Sequence, residues 1–133
     1  MELLRDEYSL VRVDERTRVV FVARTEAGFA DVTACDRAYA AVVDCLRGID
    51  RRRHGILVDL RRAPSRNDPD FERAIAPHRK RMFQGFACCA VLVRSAAGRL
   101  NVSRHAKQDE IVAEIFHEEG KAIAHLAAAL AKR

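Results

Sequence analysis

The chain has 133 residues, 49% of them apolar and 32% charged, which suits a single globular domain and excludes a disordered or collagen-like chain. A chain of this length buries roughly two-thirds of its unfolded surface, so it can build a core without disulfide or metal staples. Lys and Arg number 24 against 19 Asp and Glu, a net charge of +5, and only four of the 24 are Lys.

Taken in order, residues 8–13 alternate between two faces, and Asp14-Glu15-Arg16 can turn the chain. Residues 17–23 are β-branched and apolar, so the two segments predict an antiparallel hairpin. Gly28 precedes a helix in which Val32, Cys35, Tyr39, Val42, Val43 and Leu46 recur at three- and four-residue steps. Thr33-Ala34-Cys35-Asp36 reads as its capping box, and Gly48 is placed to stop it. Arg51-Arg52-Arg53-His54, the densest basic cluster, reads as a solvated turn before a strand.

Residues 55–60 form a short continuous apolar run, as expected of an interior strand covered on both faces. A polar stretch follows, then Asp68-Pro69, a helix start with the carboxylate as cap and the proline preset at the first position. Phe71, Ala74, Ile75, Met82 and Phe83 make the apolar stripe of this helix, which Pro77 should kink or divide. Residues 86–93 predict a second interior strand. Ser95 is placed to cap a helix through about residue 106, residues 111–116 read as a last strand, and residues 118–132 as a closing helix. The order is ββαβαβαβα. It predicts an α/β domain spanning residues 1–133, with a mixed, mainly parallel sheet of about five strands and about four helices. The segments around Val58 and Val91 should lie side by side in its middle.

Cys35 and Cys45 fall on the first predicted helix, Cys88 and Cys89 in an apolar strand, and none forms a CxxC or a zinc-finger spacing with His. They read as free, buried thiols, which points to a reducing cytoplasm. No apolar run reaches the ~18 residues of a membrane span, and residues 1–6 are too charged for a secretory signal. Trp is absent and no stacking or reading-helix motif accompanies the arginines, which argues against nucleic-acid binding.

His54, His78, His105, His117 and His125 are scattered, and no nucleophile elbow, phosphate loop or close His pair appears. The expectation is a protein with no catalytic residues, no cofactor and no metal. Asp59, set in an apolar strand, is a candidate for a raised pKa.

The segment Ile56-Leu57-Val58-Asp59-Leu60-Arg61, with Pro64 and then Asn67-Asp68-Pro69 opening a helix, resembles the SpoIIAA-like branch of the STAS superfamily. The Ala90-Val91-Leu92-Val93 strand and the ending Phe116, Glu119, Ala122 and Leu126 extend the likeness over nearly the whole chain. The resemblance implies a non-enzymatic bacterial signalling module that docks on a partner protein. It also implies a kinship with CRAL-TRIO domains, which hold lipids. Where an anti-anti-sigma factor carries its phosphorylated Ser, this chain reads Asp68, and Ser65 is the nearest hydroxyl.

The loop over residues 61–68 is the candidate site, because open α/β sheets bind at the carboxyl ends of interior strands. Arg61, Arg62, Ser65, Arg66, Asn67 and Asp68, with Ser95 on the neighbouring strand end, are its expected partner-binding residues. Two functions follow. One is docking on a protein partner, such as a signalling regulator, with a homodimer also compatible. The other is carriage or sensing of a small apolar or lipid-like ligand between sheet and helix near Pro77.

Overall fold

The first part of the chain folds into an antiparallel meander, its middle strand alternating apolar and polar side chains. The computed structural model describes residues 1–65 and 68–132. Its strands β1 (Glu2–Arg5), β2 (Ser9–Asp14) and β3 (Val19–Arg24) pair antiparallel, and β2 and β3 form the expected hairpin from Ser9↔Arg24 to Asp14↔Val19. The four-residue connection closes through Arg18, whose φ of 59° places it in the left-handed region.

Then helices and strands alternate: α1 (Val32–Cys45), β4 (Gly55–Asp59), α2 (Pro69–Phe83), β5 (Cys88–Leu92), α3 (Ala96–Asp109), β6 (Glu114–Phe116) and α4 (Glu119–Ala131). From β3 to β6 every pairing is parallel, and the sheet order is β1-β2-β3-β4-β5-β6. Val58 and Val91 are direct partners in the middle of the sheet.

The sheet thus has six strands rather than about five. The additional one, β1, shows no alternation because a register shift between Glu2 and Leu4 breaks its pairing, and Leu3 and Leu4 both pack against the core. Asp6 turns the chain back, its Oδ1 accepting from the Tyr8 and Ser9 amides at 2.9 and 2.8 Å.

Successive crossovers that run the same way across a parallel sheet put their helices on one face. That face carries Val11, Val13, Val20, Val22, Ile56, Val58, Val91 and Val93, packed with Val42 of α1, Leu46 at its C-cap, and Met82 and Phe83 of α2. α4 crosses to the opposite face, where Ala122, Leu126 and Leu130 meet Val19, Leu57, Ala90 and Leu92. Fully buried leucines such as Leu57, Leu92 and Leu126 each contribute about 1.5–3 kcal/mol relative to exposure.

Several local expectations change. α1 starts earlier than the capping box implies, because Asp31 is its cap and accepts from the Ala34 amide at 2.8 Å. Asp68 does precede Pro69 at the start of α2, but its carboxylate makes no capping bond to the helix. α2 runs undivided through Pro77. The last strand is shorter, beginning at Glu114 rather than 111.

The basic cluster is not a plain solvated turn either. Arg51 Nη1 donates to the carbonyls of Arg81, Met82 and Gln84 at 2.7, 3.2 and 2.6 Å, closing the C-terminus of α2. His54 is buried, its Nδ1 2.8 Å from the Asp50 carbonyl and its Nε2 3.3 Å from Glu15. Among the described residues no helix is long and apolar enough to cross a membrane.

Candidate functional site

Between the sheet and the three helices on its first face lies a cavity of about 310 Å³. Its floor follows from strand alternation: Val22, Val58, Val91 and Val93 all point to this face. Phe71, Ile75 and Met82 of α2 supply one wall, Tyr39 and Val42 of α1 another, and Val102 and Ala106 of α3 the roof. Its rim is formed by Gly28, Pro64, Ser65, Arg94 and Ser95, from the loops that follow β3, β4 and β5. A Cβ added at Gly28 would stand 4.0 Å from Pro64 Cγ, so the first two loops are neighbours. This is the carboxyl end of the parallel strands, where such sheets bind ligands.

The roof is attached by polar contacts. Along α3 only Asp109 is buried. Arg79 of α2 grips it with two bonds, Nε to Oδ2 at 2.5 Å and Nη2 to Oδ1 at 3.1 Å. One turn and more away, Arg104 donates to Glu72 Oε1 at 2.6 Å, and His105 Nε2 lies 3.5 Å from the same oxygen.

The Arg104 bond holds the Glu72 carboxyl below its ordinary value. Burial pushes the His105 imidazole below its usual value, and the nearby Arg79 charge adds to that, against the opposing pull of Glu72.

At the end of β3, Arg24 lines the same cavity and is buried. Its Nε donates to the Tyr8 carbonyl at 3.0 Å, Nη2 to the Ala27 carbonyl at 3.2 Å and Nη1 to Tyr39 Oη at 3.4 Å. The guanidinium carbon also sits 4.5 Å from the centre of the Phe29 ring.

The residues expected from sequence divide between two places. Ser65 and Ser95 lie at the cavity rim. Ser95 also caps α3, its hydroxyl accepting from the Gly98 amide at 3.0 Å. Arg61 belongs to the other face. It pairs with Asp59 at 3.0 and 2.8 Å and reaches Glu119 of α4 at 3.5 Å, so its charge is already engaged.

Arg62 and Asp68 are exposed, whereas Arg66 and Asn67 lie outside the described residues. For Asp59 the expected direction reverses: burial pushes its carboxyl up, but the side-chain and backbone donors of Arg61 outweigh it and the net shift is downward.

Sequence reasoning did not single out Arg24, Glu72, Arg79, His105 or Asp109 as a group. Only Arg24 carried a signal, since counting by twos from Val20 and Val22 puts it on the buried face. The others converge from two helices.

All four cysteines are free thiols. Cys35 and Cys89 are buried, while Cys45 and Cys88 are half-buried rather than buried as expected. Burial pushes the Cys89 thiol up to about 12. Among the described residues no group of three or more His, Cys, Asp or Glu is placed to hold a metal. Compared with protein-family models, curated proteins and solved structures, the chain finds no match.

Proposed function

We propose that this protein is a small-molecule-binding domain, a carrier or sensor that takes an apolar or amphipathic ligand into the space between its sheet and α1–α3. The observation that carries this reading is the cavity of about 310 Å³ with a valine floor and polar groups at its edges. Protein interiors are close-packed, with few voids larger than a water, so a space of this size is no packing irregularity. It falls at the lower end of the range of ligand pockets, which typically join apolar walls to a few placed polar groups. Its position at the carboxyl ends of β3, β4 and β5 supports the same reading. The docking alternative keeps Arg62 and Ser65 as exposed side chains, but no surface feature among the described residues selects a partner.

Titration with 1-octanol, a neutral apolar probe, tests the proposal by amide chemical shifts. Binding should move the amides of Val22, Val58, Val91 and Val93, while residues packed under α4, such as Leu57, should be affected least. Val91→Phe fills the space from its floor and should abolish the response while the fold persists. Shifts scattered over the outer surface, or none at saturating probe, would rule the ligand chamber out. Native mass spectrometry of freshly purified protein gives an independent view, since a co-purified small molecule should appear as a discrete mass increment.

A further inference from the structure

We infer that the ligand is an anion with an apolar body, a short-chain carboxylate being the simplest member of the class, and that Arg24 receives its acidic head. The inference rests on the cavity being a ligand chamber and adds the chemistry of what enters it. Arg24 stands in phase with Val20 and Val22 on β3, so strand alternation turns its side chain toward the chamber. The residue is only 8% exposed. Burying a charge is unfavourable unless it is paired, and the other deeply placed guanidinium, that of Arg79, obeys this rule through Asp109.

Arg24 does not. Among the described residues no carboxylate lies within 4.0 Å of it, and its side-chain hydrogen bonds go to two carbonyls and a phenol. A guanidinium has five N–H donors in a planar fork, and these three bonds leave two of them, one on each terminal nitrogen. A carboxylate, with two acceptor oxygens, can take one N–H from each terminal nitrogen of a guanidinium. Phe29 and Tyr39, with ring centres 4.5 and 5.7 Å from the guanidinium carbon, hold the fork in place.

The balance of charge around the chamber points the same way. Arg24, Arg79 and Arg94 line it against Glu72 and Asp109. Asp109 is taken by Arg79, and Glu72 is taken from outside the lining by Arg104. Among the described residues the uncompensated lining charge is therefore positive, and it sits at the buried Arg24 and at Arg94 on the rim. An anion drawn in past Arg94 would find its fixed counter-charge at Arg24, with the valine floor left for its apolar part.

Octanoate and 1-octanol share a chain and differ in charge, so calorimetric titration of both separates the two ideas. The unmodified protein should bind octanoate about tenfold or more tighter than 1-octanol, the ratio expected of one charge-assisted pair. Arg24→Gln should remove that preference and leave 1-octanol affinity within about twofold, whereas Arg24→Lys should retain part of it. Equal affinities for the two probes in the unmodified protein would overturn the anion inference while leaving the chamber standing. This comparison reads out even if Arg24→Gln fails to fold. A preference that survives in folded Arg24→Gln would place the anion elsewhere and defeat the assignment to Arg24. If neither probe binds, the ligand chamber itself falls, and this inference falls with it.

Discussion

Arg79 and Asp109 meet with side chains only 11% and 9% exposed, two bonds between them and thirty residues of chain separating them. Removing one partner of such a pair strands a buried charge. Asp109→Ala should therefore cost about 3–5 kcal/mol in urea denaturation, whereas the joint change Arg79→Met with Asp109→Leu should be near neutral. Equal losses in the single and double variants would mean that packing, not charge, fixes the site.

Neither residue advertised this role in the sequence, because the pairing of two helices is a tertiary event with no local pattern. Arg24 was legible in principle, since the period of its strand places it inward. Asp59 shows the limit of reading one residue at a time: its apolar neighbours suggested a raised pKa, but Arg61, two residues on, reverses the direction.

At the scale of elements, the strands with continuous apolar runs and the amphipathic α1 and α2 could be read from periodicity, as could Pro69 at its helix start. β1 could not, because its register shift removes the alternation that marks a strand. Helix ends were harder than helix bodies. Asp31 rather than Thr33 caps α1, and α3 runs on to Asp109, beyond the expected residue 106.

The end of α3 is its own weak point. Glu110 terminates it in the left-handed region at φ 56°, where a Cβ is sterically opposed and glycine is at ease. Glu110→Gly should stabilise the protein by about 1 kcal/mol, measured as an increase in the urea midpoint at constant slope. A lower midpoint would show that the Glu110 side chain holds something its backbone strain conceals. Gly85 is the reverse case: with φ at 89° it links α2 to β5 in a conformation that a side chain resists.

For the molecule as a whole, the chamber is held between a rigid floor of parallel strands and a roof held by charged contacts, so acid should loosen the roof first. His105 titrates near its usual 6.5 in the unfolded chain and below that when folded, because burial and Arg79 oppose its protonation. As pH falls below about 6.5, the unfolded state takes up the proton first and stability declines until the lower, folded value has been passed. The unmodified protein should lose more thermal stability between roughly pH 7.5 and 5.5 than His105→Gln does. Identical slopes for the two proteins would remove His105 from the account.

The arrangement of the six strands carries one more consequence. Their places across the sheet repeat their succession along the polypeptide, so each new strand is laid beside the one synthesised just before it. No strand must wait for a distant stretch to be inserted between neighbours, and the entropic cost of closing long loops is kept low for a largely parallel topology. Growth by accretion outward from the β2–β3 hairpin, with α4 sealing the far side last, is the assembly route that this layout favours.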